Sequence, residues 1–397
     1  MRQLTEMPRE PAATRAVAGV TLDAQLGALA ERAEQLAQDV FSPIAAAGPR
    51  GRVNRDLVRA LGEHGILAEL FPAAWEQRMP RQVSARRLCV LKEYLGKGCT
   101  AAEDALGLQG LGFYPVLRWG TDTLLRRWLG PVVAGEAVAA YALTEPGAGS
   151  DAAQLELRAS QDGDGYRLSG TKVWISNAPD ADIYTVFART TQGAGAAGVT
   201  AFVVPGDSPG LEGSPIDLLV SHPVGRLEFD GVYVPRSSVL GAVDDGFRLA
   251  MKTLNLFRIS VGAFGVGLAQ AALDVAIEHA DLRHQFGVPL RDLQAVAHKL
   301  ADMATATMAA RLMVYHVAGR YDDGPEADET RQLAAMAKLF ATESAQRVVD
   351  DAVQIVGAAA LQDSHLLGHL YREVRAPRIY EGATEVLRSV VGRELYR

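Results

Sequence analysis

The hydrophobic period of the chain changes twice, and those two changes constrain the fold more than any single motif. From Leu22 to about residue 137, apolar residues recur at helical spacing, first as Leu22, Leu26, Leu29, Ala33, Leu36 and Val40. Between 138 and 245 that spacing gives way to short β-type runs: YALTEP, GYRLSGTKVWIS, IYTVFAR, VTAFVVPG and RLEFDGVYVP. DGDG at 162–165 reads as a hairpin turn and Gly193 to Gly198 as a flexible loop. After Asp244 the helical period returns in four segments, Phe247–Leu282, Leu290–Tyr321, Glu329–Val356 and His365–Ile379, joined by short breaks. The expected fold is therefore α+β. An N-terminal all-α domain spans 22–137, a middle antiparallel β domain, sandwich or barrel, spans 138–245, and a C-terminal four-helix bundle spans 246–397. Residues 1–21 are expected to be a mobile tail.

Within the first domain, Ser42-Pro43 is expected to stop the first helix, and Asn54 to cap a second carrying Leu57, Val58, Leu61 and Ile66. A third helix is expected from Val83 to Leu95, and Thr121 should cap the last. The glycine-rich stretch 98–114 between them suggests a tightly packed helix pair.

A length of 397 residues predicts two or three domains, and 48% hydrophobic content is enough for a sizeable core. A net charge of −7 with no basic stripe argues against nucleic acid as a partner. No uninterrupted apolar run approaches a membrane span, so no membrane role is expected. The first residues lack the order of a signal peptide, and Cys89 and Cys99 make no disulfide framework, so a cytoplasmic location is expected.

Candidate chemistry concentrates near the end, in APRIYEGATEVLRSVVGRELYR at 376–397. Pro377 opens a short helical run, Gly382 interrupts it, and a second run follows with Thr384 as its cap and Glu385 suited to its positive end. Glu381 is then held at a helix break beside a free backbone N–H, in the apolar company of Ile379 and Tyr380. That suits a general base; an exposed loop glutamate is the other reading of the same residues. GAGS at 147–150 offers bare N–H groups to an anion or a polar ring edge. Gly262, Gly265 and Gly267 lie inside a helical period and suit close helix approach rather than dinucleotide binding. His365 and His369 share a helix face, but no HExxH pattern completes a metal site, and none is expected.

IYEGATE with its terminal helix resembles the end of the acyl-CoA dehydrogenases. YALTEPGAGSD at 141–151, GTKVWISNA at 170–178, RHQFGVPLRDLQAV at 283–296 and, more weakly, DDAVQIVGA at 350–358 resemble the same family in the same order. The resemblance implies an α, β, α architecture, FAD as cofactor and Glu381 as catalytic base. It implies that Tyr141, Leu143, Thr144, Gly149 and Ser150 face the flavin, with Ser150 shared with substrate, and that Trp174, Ile175 and Ser176 lie along the isoalloxazine. Arg283, Phe286, Gln294, Gln354 and Gly357 would reach the FAD of a neighbouring subunit, which implies a homo-oligomer, in the usual family form a tetramer. Ala383 and Glu385 complete the cofactor set, and Asn255, Phe257, Arg258 and Gly382 the substrate set. The implied reaction is α,β-dehydrogenation of an acyl thioester. Glu381 would take the α-proton and the β-hydride would pass to flavin N5, with electrons going on to an electron-transfer flavoprotein. The enolate oxygen would be stabilised by the glutamate's backbone N–H and a ribityl hydroxyl. A flavin monooxygenase or oxidase of the same fold, or a non-catalytic thioester-binding relative, are the other readings, and the retained glutamate argues against both.

The chain departs from the family pattern in several places. Ala383 stands where Thr is common, Asn255 where Asp is frequent, and QIVGAAA lacks a second glycine. PIDLLVSHPVGRLEFDGVYVP at 215–235 lacks the K-x-G-x-R run expected near the nucleotide end of CoA. A pantetheine arm on a carrier protein is therefore an alternative handle to CoA. Phe257 beside the thioester suggests short, branched or cyclic acyl groups.

Overall fold

The computed structural model describes residues 22–71, 81–327 and 329–396, so the expected tail at 1–21 lies outside the described residues. Helix α1 (Ala24–Leu36) starts at Asp23, whose carboxylate accepts from the backbone N–H of Gln25 and Leu26, and it buries Leu26, Leu29, Ala30 and Ala33. Ser42-Pro43 does not stop it. The chain runs through a π turn (Ala37–Phe41) directly into α2 (Ser42–Ala47). A proline lacks the N–H and crowds the carbonyl four residues back, and the wider π turn just ahead of it gives that ring room.

Asn54 caps α3 (Arg55–Glu63) by accepting from Leu57 N at 3.1 Å, as expected. Ile66 belongs to a separate helix, α4 (Ile66–Leu70), because Gly65 breaks the run at φ 69°. Ser84 caps α5 (Ala85–Gly98), and Thr121 caps α7 (Asp122–Val133). The glycine-rich stretch between them is not a helix pair but one helix, α6 (Thr100–Trp119). Its glycines serve close approach: a Cβ at Gly112 would lie 2.5 Å from Ala140 N. Gln109 joins the same two elements, accepting from Ala139 N at 2.6 Å and donating to Ala137 O at 2.7 Å.

The middle region is one sheet. Its strands are β1 (Ala139–Ala142), β2 (Arg158–Asp162), β3 (Gly165–Ser176), β4 (Ile183–Arg189), β5 (Val199–Pro205), β6 (Leu211–Pro215), β7 (Val224–Pro235) and β8 (Val239–Leu240), in the order β6-β7-β3-β2-β4-β5-β8. The pairing is largely antiparallel, but β1 and β2 each join β4 in parallel. The sequence pattern misses β2 and β6, whose residues are too polar and exposed to alternate, and β8, whose two residues are too few to show a period. The DGDG hairpin forms between β2 and β3, with Gly163 at φ 60°.

Three long helices follow: α8 (Gly246–Leu282), α9 (Gln294–Asp323) and α10 (Thr330–Val356). The fourth expected helix is shorter than its apolar pattern suggests: α11 spans only Leu366–Glu373, a 3-10 turn at Ala376–Arg378 follows, and α12 spans Thr384–Glu394. Helix α5 of the first domain packs on α8 and α9 beside this bundle. Gly267 lets α8 approach α5, since a Cβ there would meet Glu93 O at 2.3 Å, and Gly262 and Gly265 sit against the α10 backbone. Although α8 is long and apolar enough to cross a membrane, 89% of its most apolar window is buried inside the protein, as a core helix requires.

Candidate active site

Glu381 lies in the turn between the 3-10 segment and α12, at φ 52°, followed by Gly382 at φ 106°. A non-glycine residue in the left-handed region costs of order 1–3 kcal/mol and persists only where its surroundings enforce it. Two buried cations enforce it here. Arg258 of α8 donates from Nε to the Glu381 carbonyl at 2.9 Å, and Lys338 of α10 donates to the Gly382 carbonyl at 2.6 Å. Thr384 is not a cap, because its hydroxyl donates instead to Glu343 Oε1 at 2.7 Å, beside Arg378 at 2.8 Å. That pair of bonds ties both flanks of the turn to α10.

The Glu381 residue is half-buried, yet its Oε2 is out of solvent and has no hydrogen-bond partner among the described residues. Burial raises its pKa above the ordinary carboxylate value, and Lys92, Lys338 and Arg258 pull against that rise. Burial also lowers Lys338, to about 8, with Glu381 opposing. Lys92, on α5, pairs with Glu103 of α6 at 2.6 Å, and both are buried. Burial pushes the Glu103 carboxyl up against the pull of Lys92. An unpartnered carboxylate oxygen with a raised pKa, on a turn pinned by two buried cations, is equipped to accept a proton from a bound ligand.

The other acids near this region have structural work. Glu145 accepts from Lys172 Nζ at 2.8 Å, Glu156 N at 2.6 Å and Leu157 N at 2.9 Å. Glu385 is exposed at the start of α12, 3.9 Å from Arg388. Ala383 is the N-cap residue and supplies no side-chain bond.

Strain also marks the other candidate positions. Among the described residues five non-glycines have positive φ, and Trp174, Phe286 and Glu381 are three of them. Trp174 sits where the β3–β7 register shifts between Lys172 and Ile175, and the bulge turns its indole outward, 57% exposed. Val173 N bonds Thr144 O at 3.0 Å, which brings the 141–150 segment beside this bulge. Leu143 and Ile175 have buried side chains, and the Tyr141 hydroxyl donates to Ala250 O at 3.2 Å. Gly149 and Ser150 are exposed, and a Cβ at Gly147 or Gly149 would meet no atom of the described residues within 4 Å, so this turn is open to a ligand. An outward indole, the Thr144 and Ser176 hydroxyls and an open glycine turn together fit a large flat ring system.

Asn255 faces a small cleft with Tyr114, Arg118, Lys252 and Glu326, and lies 3.4 Å from an Arg258 nitrogen. Phe257 is fully buried, edge-on to Tyr114 with centroids 6.1 Å apart and packed on Gly110. The remaining predicted residues lie elsewhere. Arg283 and Phe286 occupy an exposed hairpin, β9 (His284–Gln285) with β10 (Val288–Pro289); Gln294 opens α9, and Gln354 and Gly357 close α10. The hairpin starts roughly 36 Å beyond Arg258 along α8, and Gln354 roughly 24 Å beyond Lys338 along α10, at about 1.5 Å per residue. One chain therefore does not bring these residues to its own Glu381. His365 Nδ1 accepts from Leu367 N, and His369 pairs with the Thr100 hydroxyl at 2.8 Å, so each has a structural partner.

The helical–β–helical order, the pinned glutamate and the flat ring site define a flavin-dependent oxidoreductase. The chain belongs to the acyl-CoA dehydrogenase family: models of that family's N-terminal, middle and C-terminal domains match residues 24–136, 140–232 and 244–396. It is 33% identical over 371 residues to cyclohexane-1-carbonyl-CoA dehydrogenase of Geobacter metallireducens, covering 92% of this chain and 96% of that one. The structure resembles butyryl-CoA dehydrogenase of Megasphaera elsdenii with a TM-score of 0.88 at 31% identity, over 95% of this chain and all of that one (100%). It also resembles PigA with FAD and proline, with a TM-score of 0.87 at 26% identity, over 95% and 98% of the two chains.

Proposed function

We propose that the protein is an FAD-dependent dehydrogenase that removes the α-proton and β-hydride of an acyl thioester, with Glu381 as base. The unpartnered, buried Oε2 of Glu381 carries this reading. When bound, FAD supplies the two-electron acceptor for the hydride. Glu381 holds the α-proton at Oε2, and its raised pKa makes it a stronger base than an ordinary carboxylate. Arg258 and Lys338 fix the turn by its carbonyls, so proton removal needs no reorganisation of the backbone. Phe257, closing the space between α6 and α8, favours short, branched or cyclic acyl groups, in keeping with the cyclic and four-carbon substrates named for the two dehydrogenase relatives. The acceptor of the electrons is an electron-transfer flavoprotein.

The active form is a homotetramer whose cofactor sites are shared between chains. Phe286 is 91% exposed at the tip of its hairpin, and Arg283, Phe286 and Gln354 lie too far along the helices to serve the Glu381 of their own chain. Purified protein reconstituted with FAD should be yellow, with about one flavin per chain, and should bleach under anaerobic addition of butyryl-CoA or cyclohexane-1-carbonyl-CoA. A protein that cannot be loaded with FAD would end this reading. Efficient turnover of palmitoyl-CoA, with little on the short and cyclic thioesters, would reject the substrate class alone.

A further inference from the structure

The stretch that lacks the family's K-x-G-x-R run, 215–235, carries His222, and the imidazole is built into the site. Its Nε2 lies 3.0 Å from the hydroxyl of Ser176, the last residue of β3 and two past the bulged Trp174. Its Nδ1 lies 3.2 Å from Asp104 Oδ1 on α6, and both side chains are mostly buried. The bridge thus links the helical domain to the strand end that lines the flat ring site. No step proposed above uses it.

We propose that His222, anchored by Asp104, is a positioning residue that turns the Ser176 hydroxyl proton toward bound FAD while the imidazole is protonated and away from it when the imidazole is neutral. The proposal rests on the flavin reading of the site. Asp104 accepts from Nδ1–H, so Nε2 is the end whose role changes. In the imidazolium, Nε2–H donates to the Ser176 oxygen, and the hydroxyl's own proton is released to a partner on the ligand side. In the neutral ring, Nε2 is an acceptor and takes that proton, leaving only lone pairs to face the ligand. A polar edge of the flavin that needs a donor is then satisfied in one state and not in the other.

The surroundings favour the charged state. Burial lowers the pKa of His222, but Asp104 opposes it by charge and hydrogen bond, with Glu373 of α11 and Glu103 of α6 adding to it, and the net direction is upward. Burial raises the carboxyls of Glu103 and Glu373, against the pull of Lys92 and His222 respectively. Lys92 pairs with Glu103, while Arg372 and His369 bear on Glu373 and Asp104. A group whose pKa is raised keeps its proton through the range where free histidine loses it, so the switch to the neutral ring falls above the ordinary histidine value.

The test is the FAD dissociation constant of the full chain, measured by flavin fluorescence between pH 6 and 10. The wild type should bind more weakly above the transition, by about fivefold for one hydrogen bond lost. Asp104→Asn should move the transition to lower pH, and His222→Gln, whose amide can donate to Ser176 at every pH, should bind tightly throughout. Ser176→Ala should bind weakly with no transition, whereas Glu381→Gln should keep it, separating His222 from the catalytic carboxyl. A purely structural bridge would give variants weakened equally at every pH, which would overturn the proposal, as would a wild-type affinity flat across the range or a transition retained in Ser176→Ala. Should His222→Gln not fold, Ser176→Ala and Asp104→Asn decide the matter. A wild type that binds no FAD at any pH would instead refute the flavin reading.

Discussion

Glu145→Gln tests the buried pair that holds the 141–150 segment against β3. The Glu145 carboxylate takes three bonds: Oε1 from Lys172 Nζ and Leu157 N, at 2.8 and 2.9 Å, and Oε2 from Glu156 N at 2.6 Å. Lys172 is 0% exposed, and its remaining partner is the Leu143 carbonyl at 2.8 Å. An amide at 145 removes the one charge that balances Lys172 among the described residues and sets an NH2 against a backbone N–H in either orientation. Breaking a buried pair by removing one partner costs about 3–5 kcal/mol. The pH dependence has a definite sign. Burial already lowers Lys172 to about 8, below its value in the unfolded chain, so the folded state binds fewer protons and stability rises with pH across that window. Glu145 raises the Lys172 pKa, so its removal lowers the folded value further. The deficit should therefore be larger at pH 6.5 than at pH 9: it shrinks as pH rises from the variant's lowered lysine pKa toward about 8, where the wild-type lysine also loses its proton, and is level above that. Urea unfolding of both proteins at pH 6.5 and 9 measures it. A deficit under about 1 kcal/mol at pH 6.5, or one that grows with pH, would refute the reasoning.

Three other outcomes follow from the site. Gly382→Ala puts a Cβ 3.1 Å from Leu387 in a residue at φ 106°, so it should cost about 1–3 kcal/mol by melting and slow flavin reduction at least about tenfold by displacing Glu381. Glu381 must be deprotonated to act, so the reduction rate should rise with pH through an inflection above the ordinary carboxylate value; Lys338→Met removes a charge that pulls this pKa down and should move the inflection higher, as pH-dependent rapid mixing would show. Arg283→Glu should lower both FAD occupancy and oligomer size by sedimentation, and a flavin-loaded native monomer would contradict the shared site.

The parts legible in the sequence were those with a local signal. Helix starts at Asn54 and Thr121 carry cap residues, and strands β3 to β5 and β7 alternate or run apolar. The polar strands β2 and β6 have no such signal, because their place is set by neighbours rather than by burial. The YEG turn was found through family resemblance, but the cations that hold it were not. Lys338 stands in an alanine-rich helix, on the buried stripe of Ala334, Ala337, Ala341 and Ala345, and that position was the available signal. Lys92, among Leu91, Glu93 and Leu95 on α5, is buried in the same way. Thr384 looked like a cap because a threonine before a helical run usually is one; its choice of Glu343 depends on α10, far away in sequence. The Ser176–His222–Asp104 bridge joins three elements with no shared pattern, so only the fold displays it.

The central claim is that Glu381 is the base, and rapid-mixing reduction of Glu381→Gln tests it most directly. The amide keeps the shape of the side chain, while Arg258 and Lys338 still bind the turn through its carbonyls. The variant, loaded with FAD, should bind butyryl-CoA or cyclohexane-1-carbonyl-CoA and perturb the flavin spectrum, yet bleach about 10²–10⁴-fold more slowly than the wild type. Glu385→Gln, measured beside it with the same thioester, should reduce at the wild-type rate. Near-normal bleaching in Glu381→Gln would contradict the account.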